Sequence, residues 1–185
     1  MVVMMLRFAA CLLLVAGPAA WTPVVAQEIS QADRAMIEAR IAAFDAVIKA
    51  GRIGEVVDFL PPRLLHSMAG EAGLTEAELR PHIAAQMAEV FKVVKIVSFA
   101  MDIADASVAT TPDGRRSYML IPTEIVMELP DARRLRSRSS TIALKDDGQW
   151  YIVRIDNARQ VIMLRDIYPE FAGVDFPAGS TAAVD

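Results

Sequence analysis

Apolar residues at helical spacing open the part of the chain that follows residue 26. Between Ile37 and Ile48 they recur at steps of three and four positions, which places them on one face of an α-helix. Ser30 and Asp33 stand at the N-cap and third helical positions, and Gly51 stands just past the last apolar residue. The pattern predicts a first helix bounded by Ser30 and Gly51.

Further helical segments are predicted before the pattern changes. Residues 53–60 form a short helix that two prolines stop, residues 63–68 add another turn, and residues 70–73 form a loop. Thr75 and Glu78 then have the spacing of a capping box, which predicts the start of a third amphipathic helix. Its apolar face consists of Leu79, Ile83, Met87 and Val90.

From residue 93 onward the apolar residues follow a period of two, which indicates β-strands. The predicted strands cover residues 93–101, 107–110, 117–129, 135–144 and 150–156. Asp147-Gly148, between the last two strands, is a strong two-residue hairpin signal. Pro122 falls inside the third strand, where it requires a bulge or an edge position because it lacks an N–H group.

Helices followed by antiparallel hairpins predict an α+β fold, in which three N-terminal helices pack on one face of a curved antiparallel sheet. A short C-terminal helix is predicted over residues 160–168. We expect residues 27–171 to form a single domain and residues 172–185 to form a loosely ordered tail.

The predicted turns fix a strand register and, with it, a candidate site. A three-residue loop over 131–133 pairs Leu129 with Leu135, and therefore Thr123 with Thr141. The Asp147-Gly148 turn pairs Thr141 with Arg154. One face of the sheet then collects the candidate ligand-binding residues, which are Thr123, Ile125, Met127, Thr141, Trp150, Ile152, Arg154 and Asp156.

This set combines an apolar wall with a few polar groups, the usual form of a small-molecule site. Arg154 beside hydroxyl groups is suited to a carboxylate or a phosphate, which its fork of donors can bind. The alternative is that Arg154 and Asp156 pair with each other at the rim of the sheet, while the threonine hydroxyls bind backbone groups.

Three helices followed by strands that end in Leu-Lys-Asp-Asp-Gly-Gln-Trp-Tyr-Ile-Val, residues 144–153, resemble the nuclear transport factor 2-like, or cystatin-like, cone fold. Ketosteroid-isomerase-like and polyketide-cyclase-like proteins share this fold. The resemblance covers about residues 30–156, and its one local motif is the pair Gly148 and Trp150. It implies a cone-shaped sheet, but the fold hosts isomerases, dehydratases, ligand carriers and scaffold subunits and so does not fix function.

The residues of a ketosteroid-isomerase-like reaction do not match this chain. That chemistry uses an Asp base with an oxyanion hole of a Tyr and a protonated acid. Asp102, Tyr118 and Glu124 are the nearest candidates, and each is expected at the surface. His66 and His82 have no convergent acidic partner in the sequence, so we expect no metal site and no cofactor.

The net charge of the chain and the position of its arginines indicate which classes of partner are expected. The 185 residues carry a net charge of -4, which argues against nucleic acid as a partner. Four arginines nevertheless cluster in one hairpin: Arg133, Arg134, Arg136 and Arg138. They suit either an acidic partner or a solvated outer face that discourages edge pairing.

Residues 1–26 have the features of a secretory signal peptide. Arg7 precedes a short apolar stretch over 8–15, and small residues precede Gln27, which predicts cleavage after Ala26. We therefore expect a periplasmic or secreted protein with no stable membrane span after cleavage. Cys11 is the one cysteine and lies in this leader, so the exported chain is expected to form no disulfide.

Two classes of function remain open. The first is an exported domain that binds a small apolar or anionic ligand, or that acts as an accessory or interaction module, including a homodimer through the sheet. The alternative is a cone-fold enzyme of the isomerase or dehydratase type acting on a small apolar substrate. Because no acid–base constellation is identifiable, the sequence favours the first class.

Overall fold

The structure is a computed structural model that describes residues 29–184. The predicted leader and its cleavage site after Ala26 lie outside the described residues. Helices followed by a strongly curled antiparallel sheet and a short C-terminal helix confirm the predicted α+β class. Among residues 29–184, no helix has the length and apolar character that a membrane crossing requires.

The first and third helices begin where the sequence predicts. Helix α1, Gln31–Lys49, starts at Ser30, whose hydroxyl accepts a hydrogen bond from the Asp33 amide at 3.0 Å. It ends before Gly51, which has a φ of 69°. Helix α3, Glu76–Val93, begins with the predicted capping box.

The segment between these helices is more regular than predicted. A 3₁₀ helix covers Ile53–Phe59, and helix α2 covers Pro62–Ala72. The loop predicted over residues 70–73 is wrong, because α2 runs through Gly70 and stops at Gly73, which has a φ of 66°. A glycine inside a helix costs only about 1 kcal/mol relative to alanine, so packing of the rest of α2 outweighs it.

Within the described part of the chain, six strands form one antiparallel sheet. They are β1, Lys95–Met101; β2, Ser107–Thr110; β3, Ser117–Glu128; β4, Arg134–Asp146; β5, Gln149–Ile155; and β6, Ser180–Val184. The order is β1-β3-β4-β5, with β2 on β3 beyond the end of β1 and β6 on β4 beyond the end of β5.

Pro122 occupies a local edge. β3 is flanked on one side by β4 throughout, but on the other side β1 ends at Thr123 and β2 begins at Leu120. The Pro122 carbonyl accepts from the Asp102 amide at 2.9 Å, so this side of the residue faces the gap between β1 and β2. The N–H that Pro122 lacks would face Asp102, which lies just past the end of β1, so no hydrogen bond between two strands is lost.

The register predicted for the β3–β4 hairpin is wrong by two residues. Thr123 pairs with Ser139 and Ile121 pairs with Thr141, because the loop closes between Leu129 and Arg133. The turn places Ala132 at a φ of 62°, a conformation that alanine rarely adopts and that the sequence did not suggest. A shift of two residues leaves the side-chain faces unchanged, so the predicted face survives.

The β4–β5 hairpin is as predicted. Thr141 pairs with Arg154 and Ala143 with Ile152. Asp147 and Gly148 both have positive φ values, 44° and 79°, as the two-residue turn requires.

Helices cover both faces of the sheet, not one. The inner face, which carries Ile121, Ala143 and Ile152, packs against α1 and the first 3₁₀ helix. Part of the outer face packs against helix α4, Ala158–Ile167, and a second 3₁₀ turn, Pro169–Phe171.

The C-terminal segment departs from its prediction. Residues 172–184 were expected to be loosely ordered, yet Val174 is buried and β6 pairs with Arg134–Arg138 of β4. Gly179 permits this path, because a Cβ there would lie 2.6 Å from the Asp156 carbonyl oxygen. The short, mostly exposed strand has too little apolar alternation to be recognised from sequence.

Candidate functional site

A cavity of about 240 Å³ lies between the inner face of the sheet and the helices. Its lining is apolar except for two threonines and one arginine. The lining residues are Phe44, Val56, Val57, Leu60, Ile83, Met87, Phe99, Met101, Thr123, Thr141, Ile152 and Arg154.

The structure brings together half of the predicted set. Thr123, Thr141, Ile152 and Arg154 all line the cavity. Ile125, Met127 and Trp150 lie on the same face of the sheet but outside the lining, and Asp156 lies just past the end of β5, also outside the lining.

The helices and β1 supply the lining that sequence analysis missed. Phe44, Ile83 and Met87 were predicted on apolar helix faces, so the sequence marked them as buried without indicating which strand they approach. Phe99 and Met101 reach the cavity because β1 pairs with β3 beside Ile125 and Thr123. Their alternate positions in a predicted strand were the available signal.

The two threonines form a hydrogen-bonded pair. The Oγ1 atoms of Thr123 and Thr141 are 2.7 Å apart, and Thr123 Oγ1 donates to the Ile121 carbonyl at 3.1 Å. A carbonyl can only accept, so the single Thr123 proton goes to Ile121 and Thr141 donates to Thr123. Thr141 therefore presents lone pairs, not a proton, to other partners.

Arg154 is held along the sheet by two serines. Its Nε donates to Ser139 Oγ at 3.0 Å and its Nη2 donates to Ser137 Oγ at 2.9 Å. Asp156 Oδ2 lies 3.3 Å from the same Nη2. Within residues 29–184, Nη1 of Arg154 makes no hydrogen bond, so this part of the guanidinium retains its donors.

The Arg154–Asp156 pair is therefore present, as the alternative interpretation of the sequence expected, but it does not saturate the arginine. The side chain of Arg154 remains 33% exposed, and that of Asp156 remains 29% exposed. Asp156 also accepts a hydrogen bond from the Asn157 side chain at 2.7 Å, which divides its charge between two donors. Exposed pairs of this kind contribute little free energy.

Trp150 anchors α1 and does not reach the cavity. Its Nε1 donates to Asp33 Oδ1 at 2.8 Å, and Lys145 Nζ lies 3.0 Å from the same oxygen. The hydrogen bonds from Ser30, Trp150 and Lys145 hold the pKa of Asp33 well below its ordinary value. This acid is thus fully engaged in fixing the start of α1 to the sheet.

The carboxylates and the tyrosine considered for catalysis lie elsewhere. Asp102 is exposed and accepts from the backbone amides of the turn that follows it. Glu124 lies on the outer face, 2.9 Å from Arg138. Tyr118 was expected at the surface, but it is buried because its ring meets Phe171 at 5.3 Å. Burial raises its pKa, which leaves the hydroxyl protonated.

The two histidines lie on exposed positions of α2 and α3. His66 Nδ1 is 3.1 Å from Glu76 Oε1, a partner that the sequence did not reveal, and His82 Nε2 is 2.9 Å from the Gln86 side chain. Neither histidine lines the cavity. Among the described residues, no group of three metal-binding side chains converges.

The arginine cluster of the β3–β4 hairpin is paired throughout. Arg133 contacts Asp131, Arg134 contacts Glu128, and Glu124 receives the other two, Arg136 and Arg138. These pairs fit a solvated outer face better than a surface waiting for an acidic partner.

Comparison with known proteins adds no assignment. No protein-family model matches the chain, and no curated protein or solved structure is significantly similar to it.

Proposed function

We propose that the inner-face cavity binds a small apolar carboxylate, and that the protein is an exported binding or accessory protein for such acids. The observation that carries the proposal is Arg154, which lines an otherwise apolar cavity and whose Nη1 makes no hydrogen bond among residues 29–184. A carboxylate binds two N–H groups of one guanidinium, while the apolar wall takes the hydrocarbon.

The cavity volume limits the size of the ligand. An apolar protein cavity of roughly 150 Å³ accommodates benzene, which has six non-hydrogen atoms. The same ratio gives roughly ten such atoms for about 240 Å³. Octanoate, a straight-chain acid with eight carbons and two oxygens, is therefore a suitable probe.

Two observations favour binding over the other interpretations. The cavity lining contains no carboxylate, histidine or tyrosine, so an isomerase or dehydratase would lack its acid and base there. The open part of the outer face carries paired arginines and glutamates, whereas a homodimer through the sheet is expected to bury apolar surface.

We also propose that the chain is related to the nuclear transport factor 2-like proteins and that it is exported from the cytoplasm. Helices against a curled antiparallel sheet support a nuclear transport factor 2-like cone. The features of residues 1–26 support export with cleavage after Ala26. Mass spectrometry of the mature protein checks the compartment, because a chain that retains residues 1–26 contradicts it.

Calorimetric titration with octanoate and with 1-octanol tests the binding proposal. We expect Arg154→Met to weaken octanoate binding about tenfold or more, because a charged hydrogen bond is lost, and to leave octanol binding unchanged. Arg159→Met is the matched control, since Arg159 is exposed on α4 and outside the cavity. Equal losses in both variants, or no octanoate binding to the wild type, would contradict the proposal.

A further inference from the structure

We infer that the preferred ligand carries a hydroxyl group between its carboxylate and its apolar tail, and that Thr141 accepts the proton of this hydroxyl. The inference rests on the proposed function and names the ligand class more closely, as hydroxy acids of medium chain length. It is carried by the direction of the hydrogen bonds in the Thr123–Thr141 pair.

The proton count makes Thr141 an acceptor. Thr123 gives its proton to the Ile121 carbonyl at 3.1 Å, which leaves the 2.7 Å bond between the two hydroxyls to the proton of Thr141. An oxygen whose proton is committed can still accept through its free lone pairs. Thr141 Oγ1 thus keeps both lone pairs and Thr123 Oγ1 keeps one, so the pair offers acceptors but no proton, and a ligand satisfies it with a donor.

The sheet sets the distance between this acceptor and the cation. Thr141 and Arg154 are directly paired across β4 and β5, with both side chains on the inner face. The guanidinium extends along β4 to Ser139 and Ser137 and so lies about one two-residue repeat, roughly 7 Å, from Thr141. A carboxylate on Arg154 then brings the next few carbons of the ligand past Thr141.

The apolar part of the lining limits where along the ligand a hydroxyl group can find a hydrogen-bond partner. Apart from the two threonines and Arg154, the lining is hydrocarbon, supplied by residues such as Phe44, Val56 and Met87. A hydroxyl placed further along the tail would lose its hydrogen bonds to water without a partner, which is unfavourable. The site therefore prefers a hydroxyl close to the carboxylate over one at the far end.

Three probes of similar size test the inference by calorimetry: octanoate, 3-hydroxyoctanoate and freshly prepared 3-oxooctanoate. We expect the wild type to bind the hydroxy acid about two- to tenfold more tightly than octanoate, because one hydrogen bond is gained. We expect no such gain for the oxo acid, which offers only an acceptor.

Variants of the threonine pair provide the decisive comparison. Thr141→Val should abolish the preference for the hydroxy acid, and Thr141→Ser should keep it. Thr123→Val removes the group that takes the Thr141 proton, so the preference should shift toward the oxo acid. If Thr141→Val does not fold, the Thr123→Val and Thr141→Ser proteins carry the same comparison.

The outcomes separate the two proposals. Octanoate binding that depends on Arg154, combined with equal affinity for the three probes or with an unchanged preference in Thr123→Val, overturns the inference and leaves the proposed function standing. Absence of octanoate binding, or binding that ignores Arg154→Met, overturns both. A hydroxy-acid preference that disappears with the Thr141 acceptor supports both.

Discussion

The outer and inner faces of the sheet each hold a partly buried arginine, Arg116 and Arg154, and the two differ in their contacts and exposure. On the outer face, Arg116 Nε donates to Glu170 Oε1 at 2.6 Å and its Nη1 donates to the Lys145 carbonyl. Its side chain is 15% exposed, whereas that of Arg154 is 33% exposed and keeps Nη1 without a partner among residues 29–184. Arg116 is thus enclosed by the protein, whereas Arg154 lines a cavity and leaves more of its side chain exposed.

The surroundings of Arg116 explain why it is structural. Its guanidinium lies 5.0 Å from the ring centroid of Tyr168, whose hydroxyl donates to Asp146 Oδ2 at 3.0 Å. Asp146 is 1% exposed and also faces Arg63 at 3.2 Å. Burial, together with the Asp146 carboxylate, raises the pKa of Tyr168 and keeps its hydroxyl a donor. The comparison teaches that burial and an aromatic neighbour mark a structural arginine, whereas exposure beside a cavity marks one that a ligand can reach.

The largest expected effect is on the apolar packing of the outer face. Phe171→Ala should lower the free energy of unfolding by about 3–5 kcal/mol, because the ring is fully buried against Tyr118 and Tyr168. Urea unfolding measures the change. Val108→Ala, at an exposed position, is the control and should change the free energy by under about 0.5 kcal/mol. Similar losses in both variants would show that the outer cluster is not the main support.

The buried hydrogen bond of this region is expected to have the next largest effect. Tyr168→Phe should cost about 1–3 kcal/mol of unfolding free energy, because it leaves the buried Asp146 Oδ2 without its donor. Tyr118→Phe is a matched control in the same cluster, since no hydrogen bond of its hydroxyl is found among the described residues. Equal stability of the two variants would contradict a stabilising role for the hydrogen bond between Tyr168 and Asp146.

Substitution of Asp33 tests whether a charged side chain on the inner-face side is structural when its oxygens are already hydrogen-bonded. It lies on the inner-face side yet is fully bonded, so Asp33→Asn should reduce stability by about 1 kcal/mol at pH 7. Its folded pKa is depressed, so its contribution is complete above the ordinary value of 3.8 and is lost as pH falls below it. Urea midpoints of both proteins should approach each other as the pH falls from about 5 toward about 1, which is roughly the window expected for a carboxyl whose pKa is strongly lowered. A gap that stays constant with pH would contradict this assignment.

The smallest predicted effect concerns Asp156, whose carboxylate competes with the proposed ligand for Arg154. Asp156→Asn removes the carboxylate 3.3 Å from Arg154 Nη2 and should tighten octanoate binding about two- to fivefold. Asp166→Asn, in a different groove, is the control and should leave the affinity unchanged. Weaker binding in Asp156→Asn would mean that Asp156 positions Arg154 for the ligand instead of competing with it.

Sequence reasoning reached the faces of the sheet but not the cavity itself. The alternation of β3, β4 and β5 placed Thr123, Thr141 and Arg154 on one side correctly, because an error of two residues preserves parity. The register of the β3–β4 hairpin depended on the positive φ of Ala132, a conformation that an alanine in the sequence does not indicate.

The remaining features depend on long-range packing. The approach of α3 to the sheet, which brings Met87 to the cavity, and the return of β6 to β4 leave no local pattern in the sequence. Long-range packing also explains why only some of the predicted site residues line the cavity. Trp150 shares the predicted face, but α1 covers it through Asp33, so only the part of the face beneath Phe44 and α3 remains available.

Methyl NMR of the methionines tests the central claim most directly. Met87 and Met101 line the cavity, whereas Met163 lines another groove and Met36 is exposed on α1. The account predicts that octanoate saturably shifts the methyl signals of Met87 and Met101 in the wild type, with much weaker saturation in Arg154→Met. Shifts confined to Met163 or Met36, or no shift at all, would contradict it.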